Sequence, residues 1–280
     1  MDPIAWTASR LLDGLSYLPY FKGKGLLALW IVRLCGLSHQ PTMRLPNGGR
    51  MWVGNDNAGH MLLPYLIGKY EHRVTQVFQH YLRVLPPEKC VMDIGANVGY
   101  YAVMAAYQRS RVGSGKVFAF EPNPLAFQYL QRNAGLNALD NLIALPWAVA
   151  DKSGQMKLYL SLQGITFGSL RSYLSHLTES CEVPAVSLDE FMAQHLDSQI
   201  GLMKVDIEGA EMLAFLGGKE TLCRDRPIIL YEEREESYTA FGYSTNEVRA
   251  FLQDLGYRLH EVSVESDVDL YLLALPGENA

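Results

Sequence analysis

The segment Cys90–Tyr101, CVMDIGANVGYY, constrains the fold more than any other part of this 280-residue chain. Cys90, Val91, Met92 and Ile94 around a single acid, Asp93, read as a buried strand, and the aromatic stretch that begins at Tyr100 reads as a helix start. Between them, Gly95 lets the backbone turn tightly without a Cβ clash, and Gly99 lets the helix pack closely on the strand. A strand that turns directly into a helix is the opening unit of a parallel sheet, because parallel neighbours need a crossover, usually helical.

The remainder of the chain keeps to that pattern. Short apolar runs at Cys90–Ile94, Lys116–Glu121, Leu142–Val149, Leu202–Asp206 and Ile228–Glu232 alternate with helical patterns over 98–109, 123–136, 187–197, 209–223 and 245–255. Two further runs, Tyr257–Val264 and Asp269–Leu275, are joined by a short acidic turn and predict an antiparallel pair. The sum is a doubly wound, mostly parallel, seven-stranded α/β sheet. Before Pro86-Pro87 the character differs: helix-like apolar segments at 5–18 and 25–37, a hairpin at 42–54 with Asn47-Gly48 as its turn, and helical patterns at 59–68 and 72–84. We therefore divide the chain into a helical and hairpin N-terminal extension, 1–85, and a sheet-bearing domain, 86–280.

The glycine turn also carries chemistry. A dinucleotide fingerprint starting at Gly95 needs glycines at 97 and 100, where this chain has Asn97 and Tyr100. The spacing reads D-x-G-x-N-x-G, the pattern of S-adenosylmethionine enzymes, in which Asp93 can engage the cofactor's ammonium and the Gly95, Ala96 turn lies against it. Glu121, 28 residues after Asp93, ends the next strand and is followed by Pro122 and Asn123. That is where this fold places an acid to accept both ribose hydroxyls, although an acid there also suits the N-terminus of the next helix. The third run ends at Ala148-Val149, where backbone amides and a small side chain would hold the adenine.

These segments resemble the FkbM-type methyltransferases. The residues that carry the resemblance are VMDIGANVGYY, VFAFEPNPLAFQYLQRNAGLN, LPWAVADKSG, VPAVSLDEF, LMKVDIEGAEMLAFLGG and RPIILYEE, in the family's order, with GKYEH at 68–72 upstream. The resemblance covers about 68–235 and implies a class I, Rossmann-like methyltransferase that transfers a methyl group to a hydroxyl of a sugar, glycan or polyketide-type natural product. It also implies that KVDIEGAE lies in the active site, that Ser169 in Gly168-Ser-Leu lies near the cofactor, and that Tyr70 and Glu71 of GKYEH border it. An N-methyltransferase acting on a small amine or peptide, and a non-catalytic cofactor-binding module, remain as alternatives; intact Asp93, Gly95, Gly99, Glu121 and Asp206 oppose the second.

Open α/β sheets bind ligands beyond the carboxyl ends of their strands, which puts Asp206, Glu208 and Glu232 at the reacting centre. Three readings compete. Asp206 with Glu208 or Glu232 holds Mg2+ or another divalent cation that acidifies the acceptor hydroxyl. A carboxylate or a histidine, among them His60, His72, His80 and His176, serves as a general base. Or Glu208 and Glu211 only favour the N-terminus of the next helix. The extension 1–85 and the insert 161–180, with Gly164 and Gly168, are the candidates for a substrate cap or lid.

Charge and cysteine usage narrow the partners. Residues 1–85 hold nine Lys and Arg against four Asp and Glu, and the remainder 15 against 26. An acidic catalytic region excludes long nucleic acid, whose phosphates need clustered basic residues. Cys35, Cys90, Cys181 and Cys223 form no CxxC pair and no zinc spacing, which suits a reducing compartment. The segment MDPIAWTASRLLDG has no basic n-region, so the expected location is cytoplasmic. Gly25–Leu37 is 13 residues and contains Arg33, too short for the about 20 a span needs, but with Lys22 and Lys24 it suits a membrane-interface contact over 22–37. A homo-oligomer is compatible with all of this.

Overall fold

The computed structural model describes residues 3–18, 22–35, 42–52, 71–113, 115–161, 168–171, 177–195, 198–262 and 270–277. A seven-stranded sheet runs through its centre in the order β12-β13-β11-β10-β3-β4-β5. Its members are β3 (Cys90–Ile94), β4 (Val117–Phe120), β5 (Leu142–Leu145), β10 (Ile200–Val205), β11 (Ile228–Glu233), β12 (Tyr257–Val262) and β13 (Leu270–Pro276). Pairing is parallel from β5 to β11, and β13 runs antiparallel to both β11 and β12. The expected closing pair therefore exists, with β13 inserted inside the sheet and β12 at its edge.

Helices cover both faces. On one lie α3 (His72–Val84), α4 (Tyr100–Val112) and α5 (Pro124–Leu136), with Phe78, Val103 and Leu130 packed against Val91, Leu202 and Leu273. On the other lie α6 (Leu188–Ala193), α7 (Glu211–Leu216), α8 (Lys219–Asp225), α9 (Glu235–Phe241) and α10 (Thr245–Asp254). There Phe191, Phe215, Tyr238 and Leu252 meet Met92, Met203 and Ile229. Alternate residues of each strand serve opposite faces, as a pleated strand requires.

Three expectations about elements are corrected. The run Leu142–Val149 is not one strand: β5 stops at Leu145, and Ala148–Ala150 (β6) pairs with a different sheet. Pro146 lies at the break and has no amide to donate to a ladder. The helix over 209–223 is two, divided at Gly217-Gly218, where a Cβ on Gly217 would strike the Ala150 carbonyl. The helix over 187–197 ends at Ala193.

The second sheet was not anticipated. It has the order β6-β9-β7-β8, with β7 (Gly154–Ser161), β8 (Gly168–Ser169) and β9 (Leu177–Ser187). Leu158, Val183 and Ala185 give it a small core of its own.

The N-terminal extension holds α1 (Pro3–Tyr17), α2 (Lys24–Cys35), β1 (Thr42–Arg44) and β2 (Arg50–Trp52); the helical pattern at 59–68 lies outside the described residues. The hairpin has its turn at Gly48, with φ +97°, and lies on α4 and α5. Asn47 Nδ2 donates to Met104 O at 2.6 Å, Asn137 exchanges two hydrogen bonds with the Arg50 backbone at 2.7 Å each, and Trp52 N donates to Asn133 Oδ1 at 2.9 Å. Leu12, Met43, Met51 and Trp52 join the same apolar cluster as Val91 and Ala102. The boundary near residue 85 thus marks a change of element pattern within a continuous core. No described helix is long and apolar enough to cross a membrane.

Candidate active site

The glycine turn after β3 is fixed by its neighbours. Gly95 has φ +84°, and a Cβ there would run into the Asp206 carbonyl oxygen; Gly99 has φ +94°, and a Cβ there would meet Leu130 Cδ1 at 2.6 Å. The amides of Gly95 and Ala96 both donate to Phe120 O at 2.9 Å, tying the turn to the end of β4. Asn97 adopts the left-handed region, φ 51°, where a side chain is least costly as Asn. That explains how Asn replaces a glycine of the common fingerprint.

Glu121 stands just beyond β4, buried. Its two oxygens accept the amides of Asn97, at 2.7 Å, and Asn123, at 2.8 Å. Burial pushes its pKa up to about 7 against those two hydrogen bonds, and the charges of Asp93 and Asp206 add to the rise. It therefore binds the glycine turn to the start of α5 whatever else it holds. Asn123 is the N-cap of α5, its Oδ1 accepting Leu125 N at 3.0 Å and Ala126 N at 3.4 Å, and Pro122 is half-buried between the two acceptors. Ala148 and Val149 are buried in β6, in register with Ala185 and Val186 of β9, so they lie in the second sheet rather than at the end of a main-sheet strand.

At the carboxyl end of the sheet, on the α3–α4 face, polar residues replace apolar ones. Asp93 is 1% exposed, and neither carboxylate oxygen has a well-formed hydrogen bond. Burial raises its pKa to about 6, opposed by the Lys204 ammonium. Lys204 is level with Asp93 in the β3–β10 register and is also buried. Its Nζ sits 2.7 Å from Asp206 Oδ2, 4.7 Å from the Tyr101 ring centroid and 5.7 Å from that of Tyr271. Burial disfavours its charge, but Asp206, Glu71 and Asp93 outweigh this and hold it above the usual lysine range. Asp206 Oδ2 also accepts the Tyr271 hydroxyl at 2.8 Å, and Tyr101 donates to Glu71 Oε2 at 2.6 Å. Glu71 is thus joined to this cluster through Tyr101, while Tyr100 packs edge-on against Tyr101; Tyr70 lies outside the described residues.

The three carboxylates expected at the reacting centre do converge: one oxygen from each of Asp206, Glu208 and Glu232 lies within 4.8 Å of the others. Their electrostatics differ. Burial pushes the Asp206 carboxyl upward, but Lys204 and the Tyr271 hydrogen bond bring it below the ordinary range, so it is ionised. Glu232 is held well above its ordinary value by burial first and then by the charges of Asp206 and Glu208. Arg234 spans the pair, 3.2 Å from Glu208 and 3.3 Å from Glu232. Glu208 has φ 54°, and its carbonyl accepts the Ser169 hydroxyl at 3.1 Å, so Ser169 braces the acidic loop from β8. Next to β8, Arg171 sits over the Phe241 ring at 5.8 Å; the rest of the proposed lid largely falls outside the described residues.

Sequence reasoning gave Lys204 no role and missed Tyr271, Tyr101 and Arg234. A lysine inside the apolar run Leu202–Val205 was a visible anomaly; the tyrosines gave no signal. Of the histidines weighed as bases, His72 contacts Gln76 and His80 packs on Tyr81, both exposed on α3, while His60 and His176 lie outside the described residues.

The strand order, the antiparallel β13 and an acid-bearing glycine turn define a class I methyltransferase fold of the S-adenosylmethionine-dependent kind. The model of the Methyltransferase FkbM domain matches residues 93–259, more than half of the chain, and the protein belongs to that family. Among curated relatives, 2-O-methyltransferase NoeI of Sinorhizobium fredii is 28% identical over 54% of this chain and 66% of its own length. The 31-O-demethyl-FK506 methyltransferase FkbM of Streptomyces tacrolimicus is 28% identical over 63% and 75%. Hexuronic acid methyltransferase AglP of Haloferax volcanii is 26% identical over 45% and 48%. The chain thus spans only part of each relative.

Proposed function

We propose that the protein methylates a hydroxyl oxygen of a sugar, glycan or polyketide-type natural product, using S-adenosylmethionine. The observation that carries this reading is the convergence of Asp206, Glu208 and Glu232 at the carboxyl ends of β10 and β11, with the proton affinity of Asp206 lowered and that of Glu232 raised. A hydroxyl, unlike an amine, must lose its proton as it is methylated, and a carboxylate of raised pKa is the better base for it. The names of NoeI, FkbM and AglP, two O-methyltransferases and one acting on a hexuronic acid, agree with this choice.

The residues fit the cofactor. Asp93 is a buried carboxylate without a well-formed hydrogen bond, as a group awaiting an ammonium donor would be, and Glu121 retains lone pairs for ribose hydroxyls. When bound, S-adenosylmethionine supplies a methyl group on a sulfonium, already a good leaving group. The chain then has to align and deprotonate the acceptor and exclude water. In this reading Glu232 takes the proton, Asp206 is clamped by Lys204 and Tyr271 to orient the hydroxyl, and Arg234 holds Glu208 and Glu232 apart in charge. Because Lys204 and Arg234 already neutralise much of the cluster, we assign it no obligatory cation. Glu71 and the β8 strip beside Glu208 would border the acceptor.

The test is product analysis with sugar, macrolide and amine acceptors, together with Glu232→Gln. Methylation on oxygen, lowered at least tenfold in kcat (about 1.4 kcal/mol) by the substitution and indifferent to chelators, is expected. Methylation on nitrogen alone would refute the substrate class. Loss of activity with a chelator, restored by magnesium, would make the triad a cation site instead.

A further inference from the structure

Eight large apolar side chains on the first two helices face solvent: Ile4, Trp6, Leu11 and Leu18 on and just after α1, and Leu26, Leu27, Trp30 and Leu34 on α2. Leu26, Trp30 and Leu34 are four residues apart and therefore form one stripe, with exposures of 73%, 64% and 67%. Ile4, Leu11 and Leu18 are seven apart, which also keeps them on one side of α1 and its end. Only five other exposed large apolar residues occur among the described residues, and they are scattered over four helices. Such a concentration on a soluble surface marks a contact site.

What covers it is indicated by charge. Between residues 3 and 55 the only acidic residue is Asp13. Asp13 is buried, accepts the Arg44 amide at 2.9 Å and pairs with Arg44 and Arg50 at 3.4 Å each, so it presents no negative charge to the outside. Arg10 lies over the Trp6 ring at 5.6 Å, and Lys22 is exposed in the turn between the helices. The buried Lys24 closes that turn, its Nζ donating to Leu18 O at 2.6 Å, where a cation suits the carboxyl end of α1. The acidic excess of the chain lies entirely beyond residue 85.

We propose that the α1–α2 face docks on an anionic lipid bilayer, lying in its interface. Leucines enter the acyl boundary, Trp6 and Trp30 sit at headgroup depth, and Arg10 and Lys22 meet lipid phosphates. The acidic body is repelled from the same surface, which fixes the orientation. A second copy of the chain is the weaker occupant, because two such basic faces repel.

The experiment is sedimentation of the full chain with vesicles of phosphatidylcholine alone and of phosphatidylcholine mixed with phosphatidylserine. Binding is expected to the mixed vesicles only, falling with salt. It should drop at least about tenfold in Leu26→Ser/Trp30→Ser/Leu34→Ser and clearly in the single charge reversal Lys22→Glu, which leaves the apolar face untouched. Leu216→Ser, at an exposed leucine elsewhere, should bind as wild type. No binding to mixed vesicles, binding equal on both vesicle types, or full binding by both variants would overturn the proposal. So would light scattering that shows a dimer which the triple variant dissociates, since the face would then belong to a second copy.

Discussion

Replacing Glu211 by Gln should make the protein more stable in alkaline solution and leave it unchanged in acid. Glu211 begins α7 at 1% exposure, its Oε1 accepting Ile207 N at 2.9 Å while Oε2 has no hydrogen-bond partner among the described residues. Burial raises its pKa from 4.5 to about 8 against that amide, with Asp206 and Glu208 adding repulsion. The folded state therefore binds a proton more tightly than the unfolded one. Stability is greatest below the unfolded value, falls as pH rises from about 4.5 to 8, and is level above. A shift of about 3.5 units at about 1.36 kcal/mol each sets an upper bound near 5 kcal/mol. Gln has nearly the same shape, keeps the acceptor for Ile207 and carries no charge. Thermal melts near pH 5 and pH 9 would measure the difference. At roughly 2–4 °C per kcal/mol, a gain of several degrees is expected at the higher pH and little at the lower. Parallel pH profiles for the two proteins would show that Glu211 is not held neutral by its burial.

Gly95→Ala should abolish soluble folding, because its Cβ would strike the Asp206 backbone and the residue has φ +84°; a soluble variant with wild-type melting would refute this. Calorimetry should show binding of S-adenosylmethionine and its demethylated product in preference to NAD, with Glu121→Ala weakening it by about 1–3 kcal/mol; unchanged affinity would remove Glu121 from the cofactor site. Asn133→Ala should lower stability by about 1–3 kcal/mol, since it strands the buried Trp52 amide and frees the Val98 carbonyl; an unchanged melting curve would mean the hairpin does not depend on that contact.

The central sheet was legible because its signals are local: alternating apolar runs, two glycines four apart, and an acid at the end of two successive strands. The second sheet was not, because Gly154–Ser161 and Leu177–Ser187 pair across a gap whose glycines read as an insert, and nothing local announces a long-range ladder. The break at Pro146 is written in the sequence, since a proline has no amide to give a ladder. That Asp206, Glu208 and Glu232 come together was expected from strand ends and the resemblance, since strand direction fixes which end of the sheet their side chains reach. What periodicity could not supply was the sorting of their charges, which depends on Lys204 and Arg234 and on a hydroxyl 65 residues away from Asp206.

That distant hydroxyl shows why the antiparallel strand matters to the chemistry. Asp93, Lys204 and Glu232 each stand two residues after an apolar residue on the α3–α4 face, Val91, Leu202 and Leu230, and so reach the carboxyl end of the sheet together. A parallel seventh strand would bring its last residues to that end. Because β13 runs the other way, it brings its beginning instead, and Tyr271, its second residue, lies level with Glu232 in the β11–β13 register. There it donates to Asp206 without adding charge. Three acids near one lysine carry a net negative charge that burial makes costly. A neutral donor on the flanking strand stabilises the ionised Asp206 and leaves Glu232 as the carboxylate of higher proton affinity. The reversal that distinguishes this sheet from the dinucleotide-binding kind thus also separates two adjacent carboxylates in proton affinity, Glu232 above Asp206.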